Sequence, residues 1–156
     1  MKKVKKIIFV CLGNICRSPM GEGVMKYLIE KKGLSSSYYI DSAGTSAFHV
    51  GEKADHRMRD VAYSHEIKLV SRSRQFVKED LEEFDYVVAM DDSNYQNIVN
   101  LNPTNESKIF KLREFDEEAY GDLNVPDPYY GGIDGFEEVY QIIMRSCVEL
   151  LKKIEE

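Results

Sequence analysis

The chain has 156 residues, 43% hydrophobic and 31% charged, which excludes a disordered polymer and suffices for one self-supporting core. Its net charge of -6 excludes a general nucleic-acid binder, which needs a basic face, and leaves room only for a local basic pocket. No apolar run has the length of a membrane span, and three cysteines without an export signal argue against a disulfide framework, so a cytoplasmic protein with no membrane partner is expected.

Lys5 to Val10 is a continuous β-branched and aromatic run, the pattern of a strand buried on both faces. Met20, Val24, Tyr27 and Leu28 then recur at helical spacing from Arg17 onward, with Pro19 in the first turn and Gly33 at the end. Tyr38 to Ser42 reads as a second strand, and Ala54 to His65 as a helix with Met58, Val61 and Ala62 on one face. Phe84 to Met90 is a third strand, followed by a helix from Asp91 to Leu101 with an acidic cap. Lys108 to Leu112 is a fourth strand, and a last helix runs from about residue 134 to residue 154. Alternation of this kind predicts one α/β domain over residues 1–156, with a parallel sheet covered on both faces.

In such sheets ligands bind beyond the carboxyl ends of the strands, and Cys11 ends the first strand. Five residues separate it from Arg17 at the start of the helix, enough for the backbone to curl into an anion-binding nest. Gly13 and Asn14 are the residues best able to take unusual backbone angles there. The helix N-terminus adds positive potential, and Arg17 can grip two phosphate oxygens in a fork. The same field favours a Cys11 thiolate, to which Ser18 can donate a hydrogen bond, giving a nucleophile aimed at phosphorus.

The segments Val-Cys-Leu-Gly-Asn-Ile-Cys-Arg-Ser-Pro, Asp-Ser-Ala-Gly-Thr and Val-Pro-Asp-Pro-Tyr-Tyr-Gly together resemble the low-molecular-weight protein tyrosine phosphatases over nearly the whole chain. The resemblance implies a four-stranded parallel twisted sheet with helices on both faces. It also implies a cofactor-free, metal-free hydrolysis of phosphotyrosine and small aryl phosphates through a cysteinyl-phosphate. Cys11 would be the nucleophile, with Arg17 and the amides of Leu12 to Ser18 (Leu12, Gly13, Asn14, Ile15, Cys16, Ser18) holding the phosphate. Asp127, in Pro126-Asp127-Pro128, would be the general acid and then the base. Phosphotyrosyl proteins or peptides are the expected partners, phosphate and other oxyanions the expected inhibitors, and a monomer the expected state.

Phe48, Ile15, Tyr129 and Tyr130 are expected to wall a slot for an aromatic ring. Asn14, Ser42 and Ser71 are assigned to the support of the loop; Ser71 precedes Arg72-Ser73-Arg74-Gln75, where many relatives have histidine. Cys16 is a possible disulfide partner that would protect Cys11 from over-oxidation, while Cys147 is expected in the core. His49, His56 and His65 are expected in surface or structural places, Arg57, Arg59, Arg72 and Arg74 in salt bridges rather than at the pocket rim, and Asp91 as a helix cap. An arsenate reductase is excluded because residues 70 to 100 hold no relay cysteine. A protein arginine phosphatase is disfavoured by the apolar Ile15, where such relatives tend to carry threonine. A non-catalytic phosphopeptide module would need neither Cys11 nor Asp127.

Overall fold

The computed structural model describes residues 3–156. Strand β1 (Lys5–Cys11) leads into helix α1 (Arg17–Lys31), and β2 (Tyr38–Gly44) is followed by α2 (His56–Ser64). The one-turn α3 (Asp80–Glu83) precedes β3 (Tyr86–Ala89), α4 (Asp92–Leu101), β4 (Ile109–Lys111) and the long α5 (Ile133–Glu155). The strands form one sheet in the order β2-β1-β3-β4, and every pairing is parallel. The expected four-stranded architecture is therefore present. No element end is shifted by more than two residues; at α2 the start moves by two because Asp55 caps that helix and leaves Ala54 outside it.

The pleat of β1 divides the core in two. Ile7, Phe9 and Cys11 face the layer built by α1, α2 and α5, where Met20, Val24, Met58, Phe136 and Ile143 are buried. Ile8 and Val10 face the other layer, with Leu81, Phe84 and Ile98. Both faces of β1 are thus dry, which is why its sequence shows no polar alternation. Among the described residues no helix is long and apolar enough to cross a membrane.

Helix α1 packs closely on β1 and on the segment of Ile67 and Leu69 because two of its positions, Gly21 and Gly23, lack side chains. A Cβ at Gly21 would come within 2.8 Å of the Phe9 ring, and one at Gly23 within 2.4 Å of Leu69 Cδ2. Phe9 is fully buried and cannot retreat. Gly21→Ala is therefore expected to destabilise the protein by about 1–3 kcal/mol, despite the better helix propensity of alanine. A urea unfolding midpoint equal to that of the parent would contradict this packing.

Candidate active site

Cys11 closes β1 at the carboxyl edge of the central strand pair, and the chain then curls into the N-terminus of α1. Four carbonyls of this loop find partners on its periphery. Cys11 O accepts from Thr45 N (2.9 Å), Leu12 O from Ser46 N (3.0 Å), Gly13 O from Ser73 Oγ (3.0 Å) and Ile15 O from Asp55 N (2.7 Å). With the carbonyls bound outward, the amides are left for the interior of the curl. Those of Gly13, Ile15, Cys16 and Arg17 donate to no acceptor among the described residues, and Cys16 supplies no side-chain cap to α1. This is the donor pattern of an anion nest at a helix N-terminus.

Asn14 is the hinge of the curl. It is buried and adopts φ 56°, the left-handed region that asparagine tolerates better than most residues. Gly13, also expected to need an unusual backbone, has no positive φ; it is small because a Cβ would approach the His49 ring to 3.0 Å. The Asn14 amide nitrogen donates to Ser18 Oγ (2.8 Å) and Ser42 Oγ (3.0 Å), while its oxygen accepts from Arg74 N (3.0 Å). Ser42 passes its own proton to Glu22 Oε1 (2.6 Å), a buried carboxylate that also pairs with Lys26. Ser18 Oγ lies 3.0 Å from Cys11 Sγ, and Asn14 N donates to that sulfur at 3.3 Å. The Asn14 amide is thus fixed on Cys11 Sγ, while the Ser18 hydroxyl lies between that sulfur and Ala43 O, an acceptor 3.3 Å away.

Ser71, expected to help hold the loop, does not reach it. Lys53 bridges Arg72, and Ser73 N donates to Glu52 O, so this register brings Ser73 and Arg74 beside the loop and leaves Ser71 lining a separate hollow. Glu22 was not anticipated at all, since one glutamate in a helix carries no signal of burial.

Arg17 is 3% exposed and lies under the mouth of the loop. Its Nη1 donates to Asp91 Oδ2 (2.7 Å) and Val125 O (3.1 Å). Burial works against its charge, but Cys11 and Asp91 outweigh that and raise its pKa. Asp91 does cap α4, accepting from Asn94 N at 2.8 Å, and its second oxygen also fixes the Arg17 fork. Asp127 Oδ2 stands 3.7 Å from Arg17 Nη2, on a loop whose neighbours are tied down on both sides. Val125 N donates to Met90 O, Arg113 to Asn124 O, and Arg57 to Tyr129 O (3.1 Å).

The slot above Cys11 holds about 190 Å³ and is lined by Leu12, Gly13, Ile15, Cys16 and Arg17 below, with Phe48, His49, Asp127, Tyr129 and Tyr130 at its walls. A conserved-looking signature is not needed to recognise the set, because the geometry already joins thiol, guanidinium and carboxylate in one cavity. The sequence model of the low molecular weight phosphotyrosine protein phosphatase family matches residues 6–156. The chain belongs to this family.

A low molecular weight protein-tyrosine-phosphatase of Streptomyces coelicolor is 42% identical over 97% of this chain and 94% of that one. The crystal structure of a protein tyrosine phosphatase from Entamoeba histolytica superposes with a TM-score of 0.93 at 44% identity, covering 97% of both chains. A Drosophila arginine phosphatase superposes at 0.89 with 33% identity, covering 97% of this chain and 98% of that one. Structures of this fold thus include one named a tyrosine phosphatase and one named an arginine phosphatase.

The walls of the slot are apolar and open. Phe48 is 81% and Tyr130 95% exposed, and the Tyr129 and Tyr130 rings meet edge to face with centroids 4.9 Å apart. Ile15 is buried at the base. His49, expected in a surface or structural place, bonds Glu52 at 2.8 Å and also lies on the wall, its ring 6.3 Å from that of Tyr129. Arg57 has the expected salt bridge, with Asp55, and also places its guanidinium 5.5 Å from the Tyr129 ring. Arg74 pairs with Asp41 and Asp80. His65 stacks on Tyr140 and bonds Glu137, and Cys147 is fully buried, both away from the slot.

Two substitutions separate the two tasks of Asn14. Asn14→Gly keeps the left-handed backbone but loses three side-chain bonds, and Asn14→Ala loses both. Both variants are expected to be less stable than the parent, with alanine below glycine by about 1 kcal/mol in urea unfolding. Equal stabilities for the two would show that the backbone angle is not strained.

Proposed function

We propose that this chain is a protein tyrosine phosphatase acting through a cysteinyl-phosphate, as one domain of residues 1–156. The reading is carried by one observation, the convergence of Cys11, Arg17 and Asp127 on a slot whose floor is an amide nest. The phosphoryl group sits on the loop amides and the free edge of Arg17, bringing phosphorus over Cys11 Sγ. The thiolate attacks in line, the P–O bond to the tyrosyl group breaks, and Asp127 gives its proton to the departing phenolic oxygen. Asp127, now a carboxylate, takes a proton from water, which attacks the thiophosphate and returns Cys11 as thiolate with inorganic phosphate. Ser18 and Asn14 stabilise that sulfur as the leaving group. Every charge is handled by side chains of this chain, so the proposed reaction uses no metal or cofactor, and phosphate and other oxyanions inhibit it by occupying the nest.

An aryl substrate fits the walls better than phosphoarginine. Ile15, Phe48, Tyr129 and Tyr130 offer apolar area to a phenyl ring, and Asp127, assigned here to the leaving oxygen, is the one carboxylate among the described residues of the lining. A phosphoserine is too short to bring its phosphorus to the sulfur from the rim. The protein is proposed to act as a monomer in the cytoplasm, where its three thiols stay reduced.

The test compares turnover of phosphotyrosine, phosphoserine and phosphoarginine peptides by the parent and two variants. Phosphotyrosine should be preferred, Cys11→Ser should abolish turnover, and Asp127→Ala should lower kcat by about 10²–10⁴ with little change in substrate binding. Preference for phosphoarginine would overturn the substrate assignment, and an unchanged kcat in Asp127→Ala would remove that residue as the acid.

Cys16 is proposed as a redox guard of Cys11. Burial is the main cause that pushes the Cys16 thiol up, so it keeps its proton at neutral pH and is slow to react with peroxide itself. Peroxide oxidises Cys11 to the sulfenic acid with release of water, and Cys16 then displaces a second water to give the disulfide, which a thiol reductant opens. Peroxide inactivation should accordingly be reversed by dithiothreitol in the parent and largely irreversible in Cys16→Ser. Equal recovery of the two would refute the guard.

A further inference from the structure

A second hollow, of about 390 Å³, lies behind the segment that supports the phosphate loop, and Lys53, Arg59, Lys68 and Arg72 line it together with Tyr63 and Val70. None of these four cations forms an ion pair with a described carboxylate. Arg59 and Arg72 each spend one N–H group on a backbone carbonyl, of Ala54 and Gly51, and keep the others free. Asp60 is the single carboxylate in the lining. In a chain of net charge -6, this is a local reversal of sign with no internal partner to explain it.

One side of the hollow is an extended strip. Ile67 and Leu69 turn inward and are buried, while Lys68, Val70 and Arg72 turn outward, Val70 being 67% exposed. The backbone amides of Lys68, Leu69, Val70 and Ser71 donate to no acceptor among the described residues. The strip thus has the free donors of an unpaired β-edge, with cations at two outward positions and an apolar side chain between them. It also runs directly into the active site, because Ser73, the residue after Arg72, bonds Gly13 of the phosphate loop.

We propose that residues 67–72 form an accessory docking strip for an extended acidic segment of the phosphotyrosyl substrate. This rests on the phosphatase reading and extends it to the chain that carries the phosphotyrosine. A peptide suits the strip better than a small anion, because its cations are spread along a line rather than converging on a point. Lys68 and Arg72 are four residues apart, about 13 Å at the rise of an extended chain, the spacing of two acidic side chains four apart in a paired peptide. Val70 takes the apolar residue between them. Charges on the edge deter pairing with a second copy of the same strip, and an acidic peptide turns that repulsion into attraction.

The experiment measures kcat/KM for phosphotyrosine peptides carrying two glutamates four residues apart, placed on either flank, against peptides with glutamines there. A small aryl phosphate reports basal activity, and binding of the unphosphorylated glutamate peptide is followed by fluorescence anisotropy. In the parent, one flank should raise kcat/KM about tenfold, and Lys68→Glu with Arg72→Glu should erase that ratio and the peptide binding while aryl phosphate turnover persists. Lys68→Glu alone, at an exposed position, should lower the ratio about threefold and guards against a folding defect in the double variant. An acidic preference that survives the double variant, or its absence in the parent, overturns the strip. Binding of inorganic phosphate but not of the peptide at this hollow also overturns it. If neither peptide nor aryl phosphate is hydrolysed, the phosphatase reading fails, and anisotropy still decides the docking claim.

Discussion

The structure around the active site depends on one residue held in an uncommon backbone conformation. Asn14 bends the chain at φ 56° and is buried among three partners from three parts of the fold. Its amide is the source of protons in both directions: toward Ser18, which can then face Cys11, and toward Ser42, which passes its proton on to Glu22. The strain of a left-handed residue, on the order of 1–2 kcal/mol, persists only because these bonds over-determine it. The gain is chemical, since the same curl that strains Asn14 turns several amides inward. A loop with a relaxed backbone would satisfy its amides locally and bind no dianion.

Arg17 is fixed by a different logic. A buried guanidinium is costly unless its bonds are completed, and a buried ion pair gives little net stability. Here Asp91 and the Val125 carbonyl take one terminal nitrogen, which orients the fork and leaves the other edge toward the slot and Asp127. Asp91 performs two tasks at once, because capping α4 fixes the carboxylate that fixes Arg17. The acid loop is anchored through residues on either side of Asp127 while Asp127 itself is 44% exposed at its side chain. That combination holds the Asp127 carboxylate at the slot while leaving it open to solvent.

Much of this was legible because it is written in short-range patterns. Doubly buried strands announce themselves as unbroken apolar runs, and a cysteine after such a run followed by Arg-Ser and a helix is a local signature. Asp127 was legible through its motif. Contacts between distant segments were not. Ser73 and Arg74 replace Ser71 as supports because the register of Lys53 against Arg72 decides which hydroxyl meets Gly13, and nothing in the local sequence states that register. Glu22 was illegible for a related reason: α1 is buried over most of its first half, so polar and apolar residues there no longer mark outer and inner faces. A lone histidine such as His49 carries no sequence signal of a slot wall, because a wall requires only a flat ring in the right place.

The chemistry and the specificity of the site are consequently built from different material. Asn14, Ser18 and Ser42 are buried and cross-bonded, so a change at any of them disturbs the others, and Arg17 is buried and held by its own bonds to Asp91 and Val125. Phe48 and Tyr130 are exposed, whereas Tyr129 is half-buried against the core and Arg57. Altering Phe48 or Tyr130 therefore costs little stability, whereas altering the floor costs the fold of the loop. A protein tyrosine phosphatase and an arginine phosphatase both superpose on this chain, with TM-scores of 0.93 and 0.89. The phosphoryl group is the common demand, met by a rigid floor. The group that carries it is met by side chains that are free to vary, and in this chain they are aromatic.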